Sequence, residues 1–486
     1  MVPSRRSCPR RWRRRWAAAA HARGSSISPA SATRRSCGRR RRSSCSAPSS
    51  TIDADARMDA RPAAPSPGPR SWPARYTVVA LCSAAAFICY LDRVNISVAV
   101  LAMQQQFGWS STVKGLVLSS FFTGYLFLQV GAGWLAGRCG GRLVLGLAVL
   151  WWSAFTLLTP LAASASLGAL LAARIALGAG EAATFPAAFT LFSRWVPAAE
   201  RSRAVAVMLS GAPLGTVAAL LATGWIIERF GWPAAFYLAG SLGFLWAIPW
   251  FRAIVDDPLR HPRLTIAERD LLTAEQPAAA APGPVPWRRL FAQPAVWALL
   301  VNHFCSNWTT YVLVAWLPSY FRESQGLSIT GAGLYSVAPW LAMFVMMNVA
   351  AAAADRLLLH GWPATAVRKL MQSVGLLGAA AFLLLARDAA SAPGAMWLMC
   401  GTMGFLACTY SGFGTNALEI APRHAGVLAG ASNTAGTIPG IIAVATTGWL
   451  VDLTGSYDAA FSLAAGVSVF GAVIWLLFAT ARPVVN

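Results

Sequence analysis

Apolar runs of roughly 20 residues, enough for an α-helix to cross about 30 Å of hydrocarbon, recur along this chain at 76–100, 115–136, 143–163, 167–192, 204–227 and 232–251. A polar stretch at 252–289 then interrupts them with Asp256, Asp257 and Pro258, an amphipathic piece at 264–274 and a Pro/Ala-rich linker at 277–286. Further runs follow at 294–321, 330–353, 370–386, 394–414, 427–450 and 459–480. Hydrocarbon offers no water to backbone N–H and C=O groups, so such segments must satisfy their hydrogen bonds internally, as helices. The expected fold class is an all-α polytopic membrane protein of about 12 transmembrane helices in two six-helix halves. The expected divisions are a disordered N-terminal segment at 1–75, a first half at 76–252, a central loop at 253–293 and a second half at 294–486.

Composition agrees, with 56% hydrophobic and only 12% charged residues. A formal net charge of +22 invites a nucleic-acid reading, but the charge is concentrated: the first 57 residues hold fifteen Arg against Asp53 and Asp55. No aromatic stacking module accompanies those arginines, so nucleic acid is not an expected partner. Loop charge sets orientation. Arg138, Arg142, Arg194, Arg201, Arg203, the 252–289 loop, Arg356, Arg368, Lys369, Arg423 and Arg482 fall on one side, and only Lys114, Arg229, Arg322 and Arg387 on the other. The positive-inside rule puts the first side in the cytoplasm or its organellar equivalent.

The first 75 residues lack the apolar core of a secretory signal, and their Arg-rich, Ser-rich, acid-poor composition is that of an organellar transit peptide. A cytoplasmic tail, or translated sequence upstream of a start at Met58, is the alternative. Nine cysteines, with Cys8, Cys37 and Cys45 in the tail, show no CxxC and no Cys/His metal spacing, so neither a disulfide framework nor a metal site is expected. No nucleophile stands with a base, and an enzyme is not expected.

The halves echo each other. SGAPLGTVAALLATGWIIERFGWPAAF opens at Ser210 and SNTAGTIPGIIAVATTGWLVDLTGSYDAAF at Ser432, with Gly224-Trp225 matching Gly448-Trp449 and Phe236 matching Phe461. Two repeated six-helix halves are the architecture of alternating-access carriers, whose substrate sites lie between the halves near the midplane.

Polar residues inside the spans are therefore the candidates for chemistry. Residues 174–186, RIALGAGEAATFP, place Arg174 and Glu181 about two helical turns apart on one face. A charge at mid-membrane costs about 2.5–3.5 kcal/mol on insertion scales, so the pair either locks helices together or forms an anion site beside a proton-accepting carboxylate. CYLDRVNIS on the first segment adds Tyr90, Asp92, Arg93, Asn95 and Ser97, which could equally be an end-of-helix ion pair. Tyr125 could supply a hydroxyl. His303, Asn307 and Tyr311 form one stripe at i, i+4, i+8, with Asn416, Glu419 and Asn433 further on; intramembrane asparagines serve helix packing as readily as ligand contact. Arg93 and Arg174 can hold an anion in planar donor forks. Asp92 and Glu181 can carry a proton or share a sodium ion. An anion on the arginines with a cation on the carboxylates leaves less uncompensated charge in the occluded state, which predicts symport.

The stretches YLDRVNIS, RIALGAGEAATFPA and PAAERSRA (197–204) resemble the anion:cation symporter family of the major facilitator superfamily. FGWPAAFYLAGSLG (230–243), QPAVWALLVNHFCSNW (293–308), VRKLMQSVGLLG (367–378) and IAPRHAGVLAGASNTAG (420–436) are similar to its plant-type anion transporters, the phosphate transporter 4 group. The resemblance, running over about 76–482, implies the major facilitator fold and secondary transport of inorganic phosphate, or of an organic anion such as ascorbate, a hexuronate or glutamate. Coupling would be to H+ or Na+, with no cofactor, in a monomer whose partners are a small anion and the lipid bilayer. It implies roles in anion binding and coupling for Asp92, Arg93, Arg174 and Glu181, to which the polar residues Tyr90, Tyr125, Asn307 and Asn433 are added as substrate contacts. GWLAGRCGGR (133–142) resembles the superfamily's GxLxDRxGRR motif, with Gly137 where Asp is usual, and suggests gating by Arg138, Arg142 and the second-half pair Asp355-Arg356. Ala182 stands where a glycine usually follows the fourth-helix glutamate. The expected location is a plastid envelope or thylakoid membrane if 1–75 is a transit peptide, and otherwise the plasma membrane or another endomembrane.

Overall fold

A computed structural model describes residues 73–274 and 285–484. The transit-peptide expectation for 1–75, apart from its last three residues, and most of the 277–286 linker lie outside the described residues. The first half comprises α1 (Ala74–Phe107), α2 (Ser111–Cys139), α3 (Gly141–Ala165), α4 (Leu167–Glu181), α5 (Thr184–Trp195), α6 (Ala198–Phe230) and α7 (Trp232–Ala253). Short helices α8 (Ile266–Ala274) and α9 (Trp287–Phe291) lie in the central loop. The second half comprises α10 (Pro294–Glu323), α11 (Ile329–Leu359), α12 (Ala364–Ala386), α13 (Ala392–Ala407), α14 (Thr409–Gly412), α15 (Asn416–Ile420), α16 (Ala425–Thr454) and α17 (Asp458–Phe478). Among the described residues there is no strand.

Local sequence explains where the helices start and stop. Ser110, Ser166, Ser328 and Ser391 each accept a hydrogen bond from the amide three residues on, capping α2, α4, α11 and α13. Gly108 and Gly455 take the left-handed conformation that ends α1 and α16. The fourth segment is not one straight helix. α4 stops at Glu181 and α5 begins at Thr184, because Pro186 lacks an N–H and crowds the preceding turn; Leu167–Trp195 together is still long and apolar enough to span.

Among the described residues, ten helical segments meet both length and apolarity for a span, α4 and α5 counting together as one. The other two expected segments are present in altered form. α10 is 30 residues long, but Asn302, His303, Ser306 and Asn307 dilute its apolar character. The tenth segment, read as 394–414, keeps only 16 residues in α13 before the chain breaks into α14 and α15.

Packing repeats between the halves. α1 lies against α6 and α7 as α10 lies against α16 and α17; α2 meets α4 as α11 meets α13. The halves touch through α2 with α16, α6 with α11, and α1 with α10. Tryptophans 152, 250 and 475 are fully buried within the halves, whereas Phe127, Trp397 and Leu477 lie more than 60% exposed on the outer surface, where lipid would cover them. Close approach of α2 and α4 depends on two glycines: a Cβ on Gly124 would stand 2.9 Å from the Ala179 amide nitrogen, and one on Gly178 3.1 Å from that of Tyr125. That contact brings the charged residues of α4 against α1 and α2.

Candidate functional site

The centre of the first half is a buried charge cluster. On α1, Cys89 and Arg93 are four residues apart and share a face, and both reach Glu181 at the end of α4. Glu181 Oε2 accepts hydrogen bonds from Arg93 Nη2 at 2.9 Å, Arg93 Nε at 3.2 Å and Cys89 Sγ at 3.1 Å, while buried Oε1 has no partner. The Thr184 hydroxyl donates to the Glu181 carbonyl at 2.8 Å and steadies the α4–α5 break. The Arg93 guanidinium lies 4.6 Å from the Tyr90 ring centre, 4.8 Å from Phe121 and 4.9 Å from Tyr125, so aromatic faces enclose the charge.

Arg174 occupies a different place from Arg93. It is 1% exposed, its guanidinium stands 5.6 Å from the Phe121 ring centre, and it leaves Nε and Nη1 without hydrogen bonds. Asp92 and Glu181 are its charge neighbours. Asp92 projects from α1 toward α3, where Trp152 and Thr156 face its carboxylate without closing a hydrogen bond of normal length. Asn95 is buried with neither amide atom bonded, and Ser97 turns its hydroxyl back to the Val94 carbonyl at 2.7 Å. Unpaired buried polar atoms are costly, and Asp92, Asn95, Arg174 and Glu181 concentrate them on α1 and α4.

The second half supplies the facing wall. Asn307 donates to the Gly436 carbonyl at 2.7 Å and His303 Nδ1 stands 2.9 Å from the Ser432 hydroxyl, so both tie α10 to α16. Tyr311 meets Phe122 of the first half with ring centres 4.5 Å apart. Asn433 donates to Gln129 Oε1 at 3.0 Å and Gln129 to the Thr434 hydroxyl at 3.1 Å, linking α2 and α16. Asn416 and Glu419 belong elsewhere. Asn416 bonds to Glu419 and the Thr480 carbonyl, and Glu419 pairs with Arg368 at 2.8 Å.

The gating candidates stay within their own halves. Arg142 donates from Nη2 to the Phe251 carbonyl and from its amide to Asp256 Oδ1, both at 2.8 Å; Arg138 lies 4.4 Å over Trp134. Asp256 thus brings a carboxylate to the α2–α3 turn, near the place where Gly137 stands instead of the usual Asp. Asp355 and Arg356 are exposed on α11 and make no ion pair among the described residues.

Cys89 and Gln129 were missed by reading the sequence for charge. The i, i+4 spacing of Cys89 to Arg93 was the available signal for the first; Gln129, at the end of the apolar TGYLFLQ, carried none beyond its polarity.

Comparison with known proteins places this geometry in a family. The sequence profile of the Major Facilitator Superfamily matches residues 82–444. The chain is 42% identical over 425 residues to a probable anion transporter 4, chloroplastic, of Oryza sativa subsp. japonica, spanning 87% of this chain and 71% of that one. It is 40% identical over 415 residues to the sodium-dependent phosphate transport protein 1, chloroplastic, of Arabidopsis thaliana, covering 85% and 81%. It is 39% identical over 421 residues to an ascorbate transporter, chloroplastic, of the same plant, covering 87% and 78%. A D-xylose–proton symporter shares the fold at TM-score 0.68 and 15% identity, over 84% of this chain and 99% of that one. With that profile, those relatives and a two-half helical bundle around a buried arginine–carboxylate pair, the chain belongs to the major facilitator superfamily, among its plant-type anion transporters, and is a multi-pass membrane transporter.

Proposed function

We propose that this protein carries inorganic phosphate, or a related small anion, together with H+ or Na+ across a plastid membrane, as a monomer without a cofactor. The observation that carries the reading is the Arg93–Glu181 pair, buried at 7% and 0% side-chain exposure and ringed by Tyr90, Phe121 and Tyr125. An anion arriving between the halves competes with Glu181 for the planar donors of Arg93. Glu181, released, is an uncompensated buried carboxylate, and a cation removes that penalty. Anion and cation thus favour each other's binding, and by the reciprocity of linked binding each raises the other's affinity by the same factor. Tyr90 and Tyr125 offer hydroxyls to the anion, Asn307 and Asn433 the amides of the second half, and Arg174 a second positive charge behind the pair. Asp92 holds Arg174 in place or takes a cation itself.

The names of the relatives support phosphate and a chloroplast setting, and ascorbate is the second substrate to test on the same ground. Uptake of labelled phosphate into proteoliposomes, with a pH gradient, a Na+ gradient or neither, decides the reading. Gradient-dependent accumulation is expected, with unlabelled ascorbate as competitor; phosphate uptake indifferent to both gradients overturns the proposal. Fusing residues 1–75 to a fluorescent protein tests the membrane assignment, plastid import being the expected outcome.

A further inference from the structure

Two carboxylates that no motif singled out, Glu228 and Asp452, bind the opposite half in the same way. Asp452, near the end of α16, accepts the Ser111 amide at 2.8 Å and the Thr112 amide at 2.6 Å, the first free N–H groups of α2. Glu228, near the end of α6, accepts the Thr330 amide at the start of α11 at 3.0 Å. The two contacts are related by the internal repeat: Gly224-Trp225-Ile226-Ile227-Glu228 aligns with Gly448-Trp449-Leu450-Val451-Asp452. Their targets match too, since Thr112 and Thr330 each lie two residues after a capping serine, Ser110 and Ser328. In both copies the glycine one turn before the carboxylate lets the backbones meet: Gly224 packs on Ile329 and Thr330, and Gly448 on Ser111.

All of this lies on the face away from the arginine-rich loops, where Lys114 of α2 also pairs with Glu323 of α10. Among the described residues Lys114–Glu323 is the one ion pair between the halves. On the outer face the two halves therefore meet directly.

We propose that Glu228 and Asp452 are a symmetric pair of latches that hold the outer face shut and must both release for the carrier to take or deliver its anion there. Negative charge is favoured at a helix N-terminus, where the axial dipole and the free amides point at it. Each carboxylate sits on one half and its helix end on the other, so the stabilisation exists only in the closed arrangement and biases the equilibrium between the two states. The repeat places one latch on each of the two long seams, α2 with α16 and α6 with α11, so closure is balanced about the interface. The role is positioning, independent of which anion is carried.

The test uses the full chain in proteoliposomes with spin labels at Gln105→Cys and Asp388→Cys, one on each half at exposed outer-face positions, the other reactive cysteines being replaced. Glu228→Gln and Asp452→Asn each keep the shape and remove the charge. Each should shift the population toward the longer label-to-label distance by about fivefold, the order of a carboxylate's effect at a helix end, and the double variant by about the product. Apparent affinity for anion offered from the outer face should rise, that from the other face fall, and Asp452→Glu should restore part of the closed population. Unchanged distance distributions in either folded single variant overturn the proposal. If the double variant does not fold, the two singles decide it.

Discussion

Arg93 donates from both Nη2 and Nε to the same oxygen of Glu181, at 2.9 and 3.2 Å, and leaves the other carboxylate oxygen buried without a partner. One oxygen is thus saturated by the arginine and the Cys89 thiol, while the second is the open position for a proton or cation. Glu181→Gln preserves size and most hydrogen bonding but removes the charge that the coupling ion would neutralise. Gradient-driven accumulation should fall by at least tenfold, with anion exchange between loaded vesicles and medium kept within a few-fold, because exchange needs no net cation movement. Side-by-side uptake and counterflow measurements check it; loss of both equally would make Glu181 structural.

Arg174 is a buried cation with Glu181 and Asp92 as charge neighbours. Arg174→Met should lower stability by about 3–5 kcal/mol, the cost of leaving partner charge buried and uncompensated, readable as a large drop in Tm in detergent. Arg174→Lys keeps the charge but loses the fork, so a folded protein with weakened anion affinity is expected, and undiminished affinity would take Arg174 out of the binding site.

Gly124 and Gly178 make one contact seen from two helices. Either glycine replaced by alanine should cost about 1–3 kcal/mol, since the facing neighbour is backbone and cannot rotate away. The double replacement should cost less than the sum, because the first substitution already parts α2 from α4. Thermal unfolding of the three variants measures this coupling directly.

On the facing wall, Tyr311→Phe removes a hydroxyl and keeps the ring that meets Phe122 at 4.5 Å. If that hydroxyl reaches the anion, KM should rise about 5- to 10-fold, equivalent to one lost hydrogen bond, with Tm unchanged. A KM equal to that of the parent protein assigns Tyr311 to packing between the halves alone.

Much of the architecture was legible because bilayer physics acts on single segments. Segment number, the central break near Asp256-Asp257-Pro258 and the repeat around Gly224-Trp225 and Gly448-Trp449 each follow from local composition. The misjudged details arose where a polar or breaking residue competes with apolarity: Pro186 splits the fourth segment, and the tenth ends early in the run from Cys408 to Thr415. The gating residues were sought on the arginine-rich face by motif. Charged contacts that join the halves sit on the opposite face, carried by Glu228, Asp452 and Lys114, which look like ordinary helix-end charges in sequence.

Sequence by itself determined that Asp92, Arg93, Arg174 and Glu181 fall within apolar segments long enough to span a bilayer, and where each stands around its own helix axis. It could not determine which charge meets which. Helical periodicity places residues only relative to their own axis, and the partner depends on how far two helices are rotated and slid against one another. Tertiary structure decided that Glu181 pairs with Arg93 of α1 instead of its helix-mate Arg174, because Gly124 and Gly178 let α2 approach α4 and the α4–α5 break at Ala182–Ala183 leaves Glu181 at a helix end facing α1.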